Sequence, residues 1–394
     1  MSKRILTLVL ALALLLGVLS GCAQKTELRS YSEDALNADP GQRVLSAYAP
    51  DTVVMTIDGS EVYWNEFAFW LCTTAKELAD EAGVSMIEDW NAVYDTQTGE
   101  TWGDRLLANV VEKEKQFHSL EAKAEGYGLE LGEEGEAYVE NSLAESLAAF
   151  QIPSEEESGE TLRRYYLDAD VLRYQAKISY LYLLLYQEMF GADGEKLSDA
   201  ELNDYVAQEG FITVRHILLS TMDENGNPLS DEQKEKKLRQ ATRIIERLSE
   251  IEDNEERLAR FDRYSNEYNE DPGVEQYPNG YCFTAGQMDE AFEAASAALQ
   301  PWEVSPEPVE SAYGYHVILR LPTTGDDVID INEDGTPYLL RSDAAQATYT
   351  ALVQAWIDDA EVVWSPEFEH LDVQTLFAKP VTFWEKIDVL HWFH

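Results

Sequence analysis

Two short runs in the second half of the chain constrain its fold more than any other feature. One reads Val214-Arg215-His216-Ile217-Leu218-Leu219 and the other Tyr315-His316-Val317-Ile318-Leu319-Arg320. Both have the β-branched and aliphatic make-up of buried strands, and each places one histidine where an apolar side chain is usual. Between them, Leu238, Ala241, Ile244, Ile245, Leu248 and Ile251 recur at helical spacing, with Lys and Glu opposite, predicting an amphipathic helix over 231–251. Leu258, Phe261 and Tyr264 predict a second helix, which Pro272-Gly273 ends. Phe283 to Glu293 is expected to open a third. Trp302–Ser305 and Pro308–Glu310 are expected to supply short strand segments. This order predicts an antiparallel α+β unit.

The chain has 394 residues, long enough for two or three domains. Upstream, Val53–Ile57 reads as a strand, Asp58-Gly59 as a turn and Glu61–Tyr63 as the return strand. Asn65 is placed to cap a helix bearing Phe67, Trp70, Leu71 and Leu78. Trp102 to Phe150 is helical in period, with a break between Gly126 and Gly132. Thr161 to Phe190 is expected to be one long helix. Its apolar run, Ile178 to Tyr186, is too short to span a membrane and predicts a buried core helix. Ser198-Asp199-Ala200-Glu201 has the form of a capping box. After Leu321 the chain is turn-rich, and Ser342 is placed to cap a last long helix with Leu352, Val353, Trp356 and Ile357. That helix is expected to pack back on the N-terminal ones, making the middle domain an insertion.

Residues 1–22 read as an export signal: Lys3 and Arg4 precede an apolar stretch from Ile5 to Val18. Leu19-Ser20-Gly21-Cys22 follows and resembles the lipobox of bacterial lipoproteins, which implies lipidation of Cys22. Residues 23–50 are polar and aperiodic, as expected of a tether. Cys72 and Cys282, far apart, form no disulfide framework, and Cys72 reads as a small core residue. The aromatic C-terminal stretch 381–394 is expected to dock on the body, with a membrane contact or a client-binding surface as alternatives.

The formal net charge of −46 repels nucleic acid, so nucleic-acid binding is excluded. No paired CxxC, HExxH, phosphate loop or nucleophile elbow occurs. Six histidines without clustered spacing argue against zinc. On their own, His216 and His316 read as satisfied core residues, and Met288 and Phe292 as one face of a helix.

Together, Val-Arg-His-Ile-Leu, Tyr-Asn-Glu-Asp-Pro-Gly, Phe-x-x-Gly-Gln-Met-x-x-x-Phe-Glu-x-Ala, Glu-Val-Ser-x-x-Pro-Val and Tyr-Gly-Tyr-His-Val-Ile resemble a parvulin-type (PpiC) peptidylprolyl isomerase over 211–321. The wider layout resembles the lipid-anchored PrsA-type foldases of Gram-positive bacteria and the related SurA chaperones. The resemblance implies an α+β architecture: a helical N/C-terminal chaperone domain with an inserted parvulin domain built on an antiparallel four-stranded sheet. It places a helical domain at 51–208, the parvulin domain at 209–323 and the returning segment at 324–394.

It implies cis-trans isomerisation of X-Pro bonds in unfolded secreted polypeptides at the outer face of a cell membrane, with no cofactor or metal. A holdase whose parvulin domain only binds is the alternative. A solute-binding lipoprotein is disfavoured by the absence of paired α/β lobes. His216 and His316 match the family's paired strand histidines, and Asp271 its acidic position beside the amide. Tyr264-Ser265-Asn266-Glu267 offers a second register for that acid. Met288 and Phe292 match the proline-pocket wall, to which Tyr281, Phe283 and Tyr313 are also assigned. The family's Gly-Gly-x-Leu-Gly is replaced here by Tyr277-Pro278-Asn279-Gly280-Tyr281-Cys282, and Tyr313 stands where many relatives have a small residue.

Overall fold

The computed structural model describes residues 40–377. These fall into two compact units, one running up to Glu188 and resuming at Ala351, the other spanning Met189–Thr350. The export signal, the lipobox Cys22 and the aromatic stretch 381–394 lie outside the described residues.

The first unit opens with α1 (Pro40–Leu45), inside the stretch expected to be tether. Val44 is fully buried there, and the Trp64 indole N–H donates to its carbonyl at 3.1 Å. Then come β1 (Val53–Ile57) and β2 (Ser60–Tyr63), an antiparallel hairpin turned by Asp58 and Gly59. Both turn residues have positive φ, 51° and 90°, as the twist of a two-residue hairpin requires. Helices α2 (Trp64–Glu81), α3 (Trp102–Gly126) and α4 (Gly132–Ala149) follow. Asn65 is not the cap of α2, which starts one residue earlier; its amide donates instead to Asp168 at 3.0 Å. The expected helix from Thr161 to Phe190 is two, α5 (Ser158–Arg163) and α6 (Ala169–Phe190). Tyr166 turns to a φ of 63°, and the Asp168 carboxylate accepts the Val171 N–H at 2.8 Å to restart the helix.

The second unit carries α7 (Asp199–Glu209), whose Ser198–Glu201 capping box is formed and which ends on left-handed Gly210. Next are β3 (Ile212–Ser220), α8 (Asp231–Ser249), α9 (Asn254–Tyr268) and a 3₁₀ turn at Pro272–Glu275. Then come β4 (Tyr281–Phe283), α10 (Glu290–Ala298), β5 (Val309–Glu310) and β6 (Gly314–Leu321). The four strands form one antiparallel sheet in the order β4-β3-β6-β5.

Period-two alternation sorts its two faces. Ile217, Leu219, Val317 and Leu319 pack against Ala241, Ile244, Ile245 and Leu248 of α8 and Phe261 of α9. Val214 and Ile318 pack with Phe283, Phe292 and Leu299 on the other face. His216 and His316 share the parity of Val214 and Ile318, so both histidines face α10. Two expectations change here. Tyr281–Phe283 is a strand, and the helix begins at Glu290 with Asp289 as its N-cap, leaving Met288 in the turn before it.

The hairpin β7 (Val328–Ile331) and β8 (Pro337–Leu339) follows, then α11 (Leu340–Asp359). Ser342 lies inside α11 and does not cap it; its hydroxyl donates to the Asp193 carbonyl at 2.9 Å. Back in the first unit, β9 (Val362–Trp364) pairs antiparallel with β1, and α12 (Val373–Phe377) closes the described chain. Phe368 stacks on Trp64 at 5.8 Å. Among the described residues, no helix is long and apolar enough to cross a membrane.

Candidate active site

The cleft of the second unit is built on the α10 face of the sheet. Register sets the histidines: His216 opposes Ile318 and His316 opposes Leu218, so the two are diagonal neighbours on adjacent strands. Their Nδ1 atoms approach to 3.0 Å and their rings stack at 5.1 Å.

Asp271 reaches them because Asn269 ties the end of α9 to β3. The Asn269 side-chain oxygen accepts the Leu218 N–H at 2.8 Å and its amide donates to the His216 carbonyl at 3.3 Å. Pro272 then starts the 3₁₀ turn, and the Gly273 N–H donates to Asp271 Oδ1 at 3.1 Å. Asp271 Oδ2 lies 2.8 Å from His216 Nε2 and accepts the Tyr281 hydroxyl at 2.5 Å. Glu267, the acid of the other register, is exposed on α9, whereas Asp271 lies against His216. Ser311, in the turn between β5 and β6, lies 2.7 Å from His316 Nε2.

Charges and protons follow from these contacts. Burial pushes the Asp271 carboxyl upward, but bonds from His216 and Tyr281 outweigh it and hold the group at about 2. Burial drives the His316 imidazole down to about 4, and the adjacent His216 adds to this. His316 is therefore neutral near pH 7. An ionised Asp271 requires a proton on His216 Nε2. The neutral His316 ring is held at both nitrogens, by His216 Nδ1 at 3.0 Å and by the Ser311 hydroxyl at 2.7 Å, so the contacts link Ser311 through the two histidines to the carboxylate.

Above this floor is a pocket of about 210 Å³, lined by Leu218, Met288, Phe292, Tyr281 and Tyr313 beside the polar groups. Phe292 sets its edge against both histidine rings at 5.1 Å. Tyr313 stands at the mouth, 65% exposed. The structure thus brings together His216, Asp271, His316, Met288, Phe292, Tyr281 and Tyr313. It leaves Phe283 out: that ring is buried behind Phe292, 6.0 Å away, and does not line the pocket. Leu218, Pro272 and Asp289 also line the pocket and Ser311 bonds to His316, although the sequence assigned none of the four to the site. For Ser311 the only signal was its place in the turn five residues before His316.

Residues 216–321 match the family model described as Rotamase, PPIC-type PPIASE domain. The chain carries a PPIC-type domain. A curated relative, the chaperone SurA of Bordetella avium, is 32% identical over 116 residues, which cover 29% of this chain and 20% of SurA. The match thus spans about a fifth of that relative's length. Among solved structures, PrsA from Bacillus subtilis is 20% identical, covering 79% of this chain and 91% of its own, with a TM-score of 0.24. A structure described among the SurA-like chaperones of Campylobacter jejuni is 16% identical, covering 78% and 94%, also with a TM-score of 0.24. Overlays this loose assign nothing, and the identification rests on the PPIC-type match and its motifs.

Proposed function

We propose that the PPIC-type cleft catalyses cis-trans isomerisation of X-Pro bonds and that the chain acts as a foldase for secreted polypeptides. The observation that carries this reading is the Asp271–His216–His316 network under an apolar pocket walled by Met288, Phe292 and Tyr281. Rotating the amide costs about 18–20 kcal/mol through lost resonance, so a catalyst must bind the twisted amide better than the planar one. A planar amide is the more charge-separated of the two, and an apolar wall that strips water from it favours rotation. A carboxylate held ionised beside the bond opposes the negative charge that resonance places on the carbonyl oxygen. Lowering the barrier by about 4 kcal/mol speeds exchange roughly a thousandfold. Neither a nucleophile nor a proton transfer is required.

In this reading the helical unit is the chaperone body and Cys22 carries the lipid that anchors the protein outside the cell membrane, in a Gram-positive bacterium. One observation favours a second reading, a holdase. Both Asp271 oxygens already accept hydrogen bonds, Oδ1 from the Gly273 N–H and Oδ2 from the Tyr281 hydroxyl, which leaves the carboxylate less free to act on an amide. The deciding experiment measures exchange of an X-Pro peptide by the full chain, alongside suppression of client aggregation. No exchange above the uncatalysed rate eliminates the isomerase; aggregation suppression by that same chain then establishes the holdase. The mass of the mature chain tests the anchor, which fails if Cys22 is neither N-terminal nor lipid-modified.

A further inference from the structure

A second cluster of functional side chains lies in the first unit and owes nothing to the isomerase reading. Glu66 of α2 and Glu114 and His118 of α3 converge in its interior, 5%, 0% and 1% exposed. Glu114 and His118 are one turn apart on the same face of α3. One ligand atom from each of the three lies within 4.8 Å of the others. His118 Nε2 is 3.3 Å from Glu66 Oε2 and 3.7 Å from Glu114 Oε2. Among the described residues, neither carboxylate pairs with a lysine or arginine. Both oxygens of Glu114 and Oε1 of Glu66 are buried without a hydrogen-bond partner.

Two adjacent buried carboxylates without donors are costly to keep ionised, because the interior replaces none of the water they lose. One shared proton could join an oxygen of each acid, but it would leave the second oxygen of Glu114 with no donor. A divalent cation neutralises both acids and can take both oxygens.

The far side of His118 is arranged as a ligating imidazole needs. Its Nδ1 is 2.8 Å from Ser60 Oγ and 3.0 Å from the Tyr174 hydroxyl. Ser60 and Tyr174 each donate to Glu121 Oε2, at 2.6 and 2.9 Å, and Lys177 pairs with Glu121. A proton on Nδ1 directed to Ser60 leaves the Nε2 lone pair aimed at the two acids, the outer support that fixes a metal-binding tautomer. A groove lined by Ser60, Glu121, Tyr174 and Lys177 reaches Glu66, one of the three residues.

We propose that Glu66, Glu114 and His118 bind a divalent first-row cation that clamps α2 to α3. Two carboxylates and one imidazole suit Zn²⁺ or Mn²⁺ better than the all-oxygen cations. Because the ligands come from two helices, binding free energy becomes folding free energy of this unit.

The test strips the full chain with a chelator, adds Zn²⁺ or Mn²⁺, and measures retained metal per chain and the melting temperature. One retained ion with a raised melting temperature is expected. Glu114→Gln, which keeps the shape, should abolish both while preserving helical circular dichroism, and Glu66→Gln gives the same answer from α2 should the first variant not fold. Ser60→Ala should weaken binding roughly 10–100-fold through the outer contact. A folded wild-type chain that retains neither ion overturns the site and leaves a shared proton or water. Retention that survives the glutamine substitutions overturns it equally, since the ion then sits elsewhere on the acidic surface.

Discussion

His216 and His316 meet diagonally across β3 and β6, Nδ1 to Nδ1 at 3.0 Å, not as directly opposed partners. That offset makes one histidine answer to the carboxylate of Asp271 and the other to the hydroxyl of Ser311. It also buries His316 as a neutral ring, which has a consequence for stability. In the folded chain its imidazole is held at about 4 against an ordinary 6.5, by burial first and by His216 second. As pH falls through 6.5 the unfolded chain takes up a proton that the folded chain refuses. Stability is therefore complete above 6.5 and lost progressively toward pH 4, by an amount approaching roughly 3 kcal/mol. Asp271 works further down: its depressed carboxyl contributes stability above the ordinary 3.8, lost as pH falls toward 2. Urea midpoints at pH 7 and 4.5 should fall for the wild type and change much less for His316→Gln. Parallel loss in both proteins would rule out a buried neutral His316.

Asp271→Asn keeps the shape of the side chain and removes its charge. A charge-assisted hydrogen bond is worth about 1.5–3 kcal/mol, so kcat/KM for an X-Pro peptide should drop roughly 10–100-fold. KM should move little, because the proline wall is untouched. A loss seen only in KM would mean that the carboxylate binds and does not favour the twisted amide.

Gly280 is held at a φ of 109°, and a Cβ there would sit 2.4 Å from the Val214 carbonyl oxygen. Backbone strain of this kind costs about 1–3 kcal/mol, before the clash is relieved by moving β4 off β3. Gly280→Ala should lower the melting temperature and displace Tyr281 from Asp271. A variant of unchanged stability would contradict the close approach of β4 to β3.

The fold was legible wherever a period or a cap left a local mark. The histidine strands, the α8 stripe, the Ser198–Glu201 box and the Asp58-Gly59 hairpin all did so. β4 left none: three residues after a Pro-Asn-Gly turn are too few to show alternation, and its pairing with β3 is a tertiary fact. Asp168 did carry a restart signal, but the apolar run of α6 masked it. In the cleft, Asp271 was readable through its motif, whereas Ser311 acts only through the β5–β6 turn. Glu66 and His118 are 52 residues apart, so no spacing rule links them, and counting histidines passes over a set with two glutamates.

Tyr313 lines the mouth of the pocket and is 65% exposed. Removing an exposed ring should change stability by no more than about 0.5 kcal/mol. It should nonetheless weaken peptide binding, because the ring is the outermost apolar contact beside Met288 and Phe292. Tyr313→Ala is thus expected to raise KM several-fold, on the order of 1 kcal/mol of lost apolar contact, with kcat nearly unchanged. Isothermal titration with a non-isomerising proline peptide reads the same loss directly, and equal affinity would place the binding mouth elsewhere.

Tyr281→Phe separates the catalytic reading from the holdase one. The ring remains against His216, 5.3 Å away, so the pocket wall keeps its shape. Only the hydroxyl that donates to Asp271 Oδ2 is lost. A hydrogen bond to a charged acceptor that is worth about 1.4 kcal/mol corresponds to one unit of pKa, so the Asp271 carboxyl should rise by roughly that much from about 2. It stays ionised at pH 7, and the exchange rate there should remain within about threefold of the wild type. The acid limb of the rate profile should move to higher pH, because the carboxylate is now protonated sooner. A chain that only holds its clients has no such limb to move. An acid limb that stays in place in an active enzyme would mean that Asp271 does not set it. A large rise in rate at pH 7 would instead show that the Tyr281 hydroxyl restrains the carboxylate from acting on the amide.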